Sequence, residues 1–154
     1  MMVIEYKVMS TEDYDGVYDL WMNIPGMGIN STDDSREGIE KYIKRNPTTS
    51  FVAMNNGKIV GAILAGHDGR RGFIQHMAVL PEFRKQGIAS ELLEKSMNAL
   101  EKEGIHKVAL LAFKKNELGN SFWDNQEFII REDVYYRNKS IHDLEYRENP
   151  YRNE

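Results

Sequence analysis

The segment "MAVLPEFRKQGIASELLEKSM" (residues 77–97) joins three sequence patterns. It is apolar up to Pro81, and from Gly87 onward its apolar residues recur at helical spacing. Between these parts lie the adjacent cations Arg84 and Lys85. The N-terminus of a helix is the positive end of its dipole, so a cation there costs roughly 0.3–1 kcal/mol. The segment predicts a strand, a turn and a helix, with positive charge at the turn that the helix itself disfavours.

The turn also has the features of an anion-binding site. The first N–H groups of a helix lack intrahelical partners, and together with the dipole they attract a negative group. Glycine at 87 and alanine at 89 keep bulky side chains away from these N–H groups. A phosphate or pyrophosphate would offset the charge of the two cations. The alternative is an ordinary solvated pair of cations, and the segment matches neither a Walker loop nor a G-x-G-x-x-G fingerprint.

Composition limits the class of protein. The chain has 154 residues, of which 41% are hydrophobic and 29% charged, as in one globular domain. Its net charge of −4 argues against a nucleic-acid partner. The absence of cysteine excludes disulfides and thiolate ligands, and the four histidines lack metal-ligand spacing, so we expect no metal. Without a long apolar run or a signal-peptide pattern, we expect a cytoplasmic protein with no membrane partner.

Hydrophobic periodicity predicts the elements on either side of this segment. Before it we expect a strand over residues 2–9, helices over 10–24 and 30–46, an Asn-Gly hairpin over 50–69 and a strand over 70–81. After it we expect a strand buried on both faces over 106–113, a short helix capped by Asn116, and last strands over 128–140. The order β-α-α-β-β-β-α-β-α-β-β indicates an α/β domain with a mixed sheet.

Residues 77–97 resemble the acyl-CoA-binding motif of the GNAT superfamily of N-acyltransferases. That motif is a strand with L-x-V-x-P, the turn [QR]-x-x-G-x-[GA] and a long helix. The matching positions are Met77, Val79, Pro81, Arg84, Gly87 and Ala89. A second family pattern, N-x-x-A-x-x-x-Y-x-x-x-G-[FY], is matched in spacing by Asn116, Gly119, Trp123, Glu127 and Phe128.

The resemblance extends over nearly the whole chain, which is similar to small bacterial single-domain members of the superfamily. It implies an α/β (α+β) fold with a mixed, mostly antiparallel sheet of about seven strands, flanked by about four helices and splayed between its central strands. We expect one acyltransferase domain over residues 1–141 and a polar C-terminal tail over 142–154.

The resemblance also implies how acetyl-CoA, the expected co-substrate, would bind. Backbone N–H groups from Arg84 to Ala89 would hold the pyrophosphate, and the strand edge at Met77 to Val79 would pair with the pantetheine. Asn116 and the helix after it would line the other side. The full set of expected CoA contacts is Met77, Ala78, Val79, Arg84, Lys85, Gln86, Gly87, Ile88, Ala89, Ser90, Asn116, Phe122 and Trp123.

The reaction implied is direct attack of an amine on the thioester in a ternary complex. Only about one lysine-type amine in 2,500 is neutral at pH 7, so a base is useful. His76 is the candidate base, with His67 or Asp68, a purely structural histidine or a water chain as alternatives. The backbone N–H of Val79, or that of its neighbour Ala78, is the candidate oxyanion donor. Trp123 occupies the position of the family's usual acid, a tyrosine, and an indole cannot donate a proton near neutral pH. Tyr135 is the candidate acid, with its neighbour Tyr136 as the alternative, and helix packing is the alternative role for Trp123.

The acceptor is expected to be a small-molecule or peptide amine, and a homodimer is possible. One competing interpretation is a non-catalytic acyl-CoA-binding or sensing module, which the tryptophan at position 123 and the absence of an obvious base would suit. Another is a nucleotide- or phosphate-binding regulatory domain of a different fold. Amine-dependent release of CoA separates the enzyme from both.

Overall fold

The computed structural model describes residues 3–153, and the predicted first strand begins at Met2, outside that range. The strands are β1 (Glu5–Val8), β2 (Phe51–Asn55), β3 (Lys58–His67), β4 (Gly72–Val79) and β5 (Val108–Leu110). The α-helices are α1 (Tyr14–Met22), α2 (Arg36–Arg45), α3 (Ile88–Lys102) and α4 (Glu117–Asn125). Short 3-10 helices cover Thr11–Asp13 and Pro81–Phe83.

The strands form one mixed sheet in the order β1-β2-β3-β4-β5. All neighbouring pairs are antiparallel except β4 and β5, which are parallel. The predicted mixed, mostly antiparallel sheet and the four helices are therefore confirmed. The predicted number of about seven strands is wrong, because the described sheet has five.

The predicted and the observed strands differ in two places, and both lie after α3. The strand predicted over 106–113 is confined to Val108–Leu110 and is not fully buried, and residues 128–140 form no strand in the described structure. Ile129 and Ile130, expected in the last strands, are 82% and 78% exposed. Apolar and β-branched residues favour β structure only where an edge and a packing surface receive them. A β5 of three residues offers little of either.

Helices cover both faces of the sheet. Gly61 and Gly66 are five residues apart in β3, so they face opposite sides. A Cβ on Gly61 would lie 3.1 Å from Ile88 of α3, whereas one on Gly66 would lie 2.6 Å from the Tyr42 hydroxyl of α2. The sheet thus packs against α3 on one side and receives Tyr42 of α2 on the other, and α1 also contacts β3 and β4. Within residues 3–153, no helix combines the length and the apolar character needed to cross a membrane.

The polar tail does not leave the fold at residue 142. Residues 145–152, the C-terminal strap, run along the α1–α2 loop (residues 23–35), where Ser31 N–H donates to Glu145 O and Arg147 N–H donates to Ile29 O, each at 2.9 Å. The Arg147 guanidinium then donates to three backbone carbonyls, those of Trp21, Ile24 and Met27, at 3.3, 2.7 and 2.8 Å. The strap therefore fixes the loop against the end of α1.

Arg147→Ala is expected to lower the free energy of unfolding by about 2 kcal/mol, because several carbonyls at the end of α1 would lose a charged donor. For a chain of this length the melting temperature should fall by roughly 4–8 °C. Arg137→Ala is the control, since Arg137 is exposed on the segment before the strap. Equal melting temperatures for the two variants would show that the strap does not stabilise the loop.

Candidate active site

Strands β4 and β5 part halfway along β4. They pair in parallel at Gly72 with Val108, at Phe73 with Ala109 and at Ile74 with Leu110, and the pairing ends there. The second half of β4, from Gln75 to Val79, remains paired with β3 on its other side. Its edge toward β5 is therefore open, which creates a slot beside backbone groups that a ligand could use.

The open edge presents the N–H of Val79. Leu80 N–H donates to Val60 O of β3 at 2.9 Å. Successive N–H groups of a strand point to opposite edges, so the N–H of Val79 points away from β3 and into the slot. Its neighbour Ala78 is buried and pairs with Ala62, and Met77 is half-buried. The N–H of Val79, the candidate oxyanion donor, therefore points toward the space where a ligand could bind.

His76 lies at a bulge in β4. Ala62 pairs with Ala78 but Leu64 pairs with Gln75, so an extra residue of β4 is accommodated at His76 and Met77. The backbone of His76 has a φ of 46°, which is unfavourable for a residue with a Cβ. Bulges redirect side chains and occur often near functional sites. Here the bulge places the imidazole against α1 and the α1–α2 loop.

Two side chains hold the His76 ring. The ring lies edge-on to Trp21 with 5.0 Å between centroids. Nε2 of His76 lies 2.7 Å from Oδ1 of Asp34, whose side chain is 5% exposed. Sequence reasoning missed Asp34, because it lies 42 residues from His76 in a run of polar residues that resembles helix caps.

The N-terminus of α3 fits an anionic group. Gly87 caps the helix with a φ of 81°, and no side chain from residues 3–153 bonds to the cap. The first intrahelical bond runs from Glu91 N–H to Gly87 O, so the N–H groups of Ile88, Ala89 and Ser90 precede it. A Cβ on Gly87 would have no described atom beyond its chain neighbours within 4 Å. The space beside Gly87, where these N–H groups begin, is therefore open.

Exposed polar residues surround this helix end. Arg84, Lys85 and Gln86 are exposed, and the Arg84 Nε donates to Val79 O at 3.0 Å. That bond joins the loop to the end of β4 and leaves the other guanidinium N–H groups available. On the opposite side, Gln126 Nε2 donates to Ser90 Oγ at 3.2 Å and links α3 to the end of α4. The predicted pyrophosphate loop and the open strand edge are thus physically connected.

Helix α4 carries the remaining expected CoA contacts. Asn116 caps it, as predicted, by accepting from Gly119 N–H at 2.9 Å, which commits its Oδ1 to the helix. Trp123 is half-buried between Phe122 and Phe128, edge-on to each at 5.0 and 5.2 Å. This cluster packs against the core. The contacts favour the packing role for Trp123.

Tyr135 is not brought to the other candidates. Its side chain is 89% exposed, and the guanidinium of Arg137 lies 5.9 Å from its ring. A side chain so exposed is not held against β4. Within the described residues, no group of three His, Asp or Glu side chains is arranged to hold a metal ion.

Comparison with known proteins identifies the family. Residues 14–128 match the acetyltransferase (GNAT) family. An acetyltransferase of Photorhabdus laumondii is 30% identical over 145 residues, covering 93% of this chain and 100% of that protein. An acetyltransferase of Pectobacterium atrosepticum is 27% identical over 143 residues, covering 93% and 100%.

Solved structures share the fold at lower identity. The aminoglycoside N-acetyltransferase AAC(6')-Iy in complex with CoA superposes with a TM-score of 0.72 at 21% identity, over 90% of this chain and 96% of that one. The PaiA N-acetyltransferase of Thermoplasma acidophilum, in complex with coenzyme A, gives 0.68 at 18% identity, over 81% and 89%. The chain belongs to the acetyltransferase (GNAT) family and is an acetyl-CoA-dependent acyltransferase.

Proposed function

We propose that this enzyme transfers the acetyl group of acetyl-CoA to a primary amine by direct attack in a ternary complex. The observation that carries the proposal is the arrangement on β4, where a half-buried histidine at a bulge lies three residues before a backbone N–H that points into the slot. A base and an oxyanion donor beside one open edge suit the attack of an amine on a thioester.

The co-substrate would lie along β4 and across the start of α3. The pyrophosphate would accept from the N–H groups between Arg84 and Ser90, where the helix dipole and two cations favour negative charge. The pantetheine would pair with the edge at Met77 to Val79, as an added strand does. The thioester would then reach the N–H of Val79, which stabilises the charge that develops on the carbonyl oxygen.

His76 would take the proton that the attacking amine must lose. Its Nε2 is bonded to Asp34, so the neutral tautomer with the proton on Nε2 leaves Nδ1 as the accepting nitrogen. This tautomer is assigned from the hydrogen-bond partner. The CoA thiol has a pKa of about 8.5, so its thiolate leaves without an obligatory acid. Tyr135 stays the predicted acid, and the role requires it to move from its exposed position.

The acceptor would be a small-molecule or peptide amine. One structural relative, AAC(6')-Iy, was solved with a bisubstrate analogue of CoA and acetylneamine, at a TM-score of 0.71 and 21% identity. For this chain, the net charge of −4 and the buried carboxylate beside His76 support a cationic or neutral acceptor. A homodimer, a cytoplasmic location and the lack of nucleic-acid, membrane and metal partners stay predictions.

Release of free CoA, followed with a thiol reagent across a panel of amines, tests the proposal. We expect release that depends on both acetyl-CoA and at least one primary amine. The assay also tests the alternative candidate, a non-catalytic acyl-CoA-binding module, which rests on the packed Trp123 and the exposed Tyr135 and which the family assignment argues against. Tight binding of CoA without amine-dependent release, across small amines and peptide N-termini, would favour that candidate.

A further inference from the structure

We propose that Asp34 is a positioning residue for the base. It holds the proton of His76 on Nε2, which keeps Nδ1 free, and it stabilises the imidazolium that forms when Nδ1 takes a proton. This inference rests on the proposed function of His76 and assigns a role to a residue of the α1–α2 loop, outside the motif that resembles the family's.

Both oxygens of the Asp34 carboxylate are engaged. Oδ1 lies 2.7 Å from His76 Nε2, and Oδ2 accepts from Asn30 N–H at 2.9 Å. The backbone oxygen of Asp34 accepts from the Tyr14 hydroxyl at 2.7 Å, which ties the residue to α1. A carboxylate fixed on two sides cannot turn away from the imidazole, so the hydrogen bond defines the orientation of the ring.

The loop that carries Asp34 is itself rigidly held. The Asn30 side-chain oxygen accepts from the N–H groups of Thr32 and Asp33 at 3.0 and 2.7 Å, which closes a tight turn. Asn30 also forms a β-bridge with Tyr146 of the C-terminal strap. The strap and the turn together hold the loop segment that carries Asp34.

His76 is held equally firmly on its own side. Its bulged backbone and the edge of Trp21 restrict the ring, which is 15% exposed. A charge that forms on a half-buried ring is costly unless an opposite charge compensates it. Asp34 is the carboxylate at hydrogen-bonding distance, so proton uptake by His76 converts a neutral–anion pair into an ion pair.

The proton and electron balance of the step is simple. The amine nitrogen bonds to the acetyl carbon, the C–S bond breaks, and its electron pair leaves with the sulfur. One amine proton moves to Nδ1 of His76, while the proton on Nε2 remains between His76 and Asp34, which stays ionised throughout. The imidazolium then returns its proton to the CoA thiolate or to solvent.

A double-mutant cycle with Asp34→Asn and His76→Gln tests the role, read as kcat and KM for both substrates. Asp34→Asn keeps the side-chain shape and an acceptor for Asn30 N–H. We expect it to lower kcat by about tenfold or more, with KM for acetyl-CoA within about twofold of the wild type. In the His76→Gln background, the same change should alter kcat by less than about twofold, because the residue it acts through is gone.

Two further variants and one spectrum complete the design. Asp33→Asn, the neighbouring exposed carboxylate, should leave kcat unchanged, and Asp34→Glu should recover part of the loss. Thermal melting shows that each variant folds. Nitrogen-detected NMR of labelled histidine should show the Nε2–H tautomer of His76 in the wild type and its loss in Asp34→Asn. This readout does not depend on activity.

Two outcomes would overturn the inference. An equal loss of kcat from Asp34→Asn in both backgrounds would show that Asp34 acts independently of His76. A lower melting temperature with normal kcat and an unchanged tautomer would show that the pair only anchors the loop. If His76→Gln alone leaves kcat unchanged, the failure lies in the proposed base and not in the role of Asp34.

Discussion

Gly87→Glu is expected to weaken CoA binding by about 100-fold or more, which corresponds to roughly 2.8 kcal/mol. The new carboxylate would lie among the N–H groups at the start of α3, where the pyrophosphate is proposed to bind. Like charges in contact cost several kcal/mol. The open space around Gly87 lets the side chain fit without a clash, so the fold should persist. Titration calorimetry with CoA measures the effect.

Gly104→Glu is a closely matched control. Gly104 has a φ of 83°, against 81° for Gly87, and a Cβ there would likewise have no described atom beyond its chain neighbours within 4 Å. It follows the other end of the same helix. Both variants carry the backbone strain of a non-glycine residue at positive φ, about 1–2 kcal/mol. Any difference in CoA affinity between the two variants therefore reflects where the new carboxylate lies on the helix.

Repeating the titration at high salt distinguishes an electrostatic loss of CoA affinity from a steric one. At 1 M salt the Debye length falls to about 3 Å, so an electrostatic loss should shrink, whereas a steric loss should not. CoA affinity in Gly87→Glu equal to that of Gly104→Glu would contradict the pyrophosphate assignment.

The motif that could be predicted from the sequence is local. The strand, the turn and the helix of residues 77–97 appear as expected, because the periodicity, the proline and the glycine act within a few residues of one another. The hairpin between β2 and β3 follows for the same reason, with Asn56 and Gly57 both at positive φ. Such signals require no knowledge of the rest of the fold.

The features that the sequence did not predict depend on residues far apart in the chain. The apolar run at 106–113 became a strand of three residues, because strand length is set by the neighbouring edge as well as by composition. Asp34 and His76 are brought together by a loop, a bulge and the C-terminal strap, and the spacing of the residues in the sequence does not indicate this. The base candidate could be named in advance, but its partner required the structure.

His76→Gln is expected to lower kcat by about 100-fold or more with a lysine-like acceptor at pH 7, while the affinity for CoA stays unchanged. General-base catalysis is worth about 10²–10⁴-fold. Glutamine is close to histidine in size, and its amide can still donate to Asp34, so the loop should remain in place. The same substitution at His106, which is exposed before β5, is the control and should leave kcat unchanged.

The size of the loss should depend on the acceptor. An amine with a pKa near 10.4 is almost entirely protonated at pH 7, whereas about one in seven α-amino groups with a pKa near 7.8 is neutral. His76→Gln should therefore impair the α-amino acceptor much less. Its rate with the more basic amine should rise about tenfold per pH unit until the amine pKa is reached. An equal loss with both acceptors would show that His76 does not act by removing the proton of the amine before the attack. An unchanged kcat, with a pH profile parallel to that of the wild type, would assign proton removal to a water chain instead of His76.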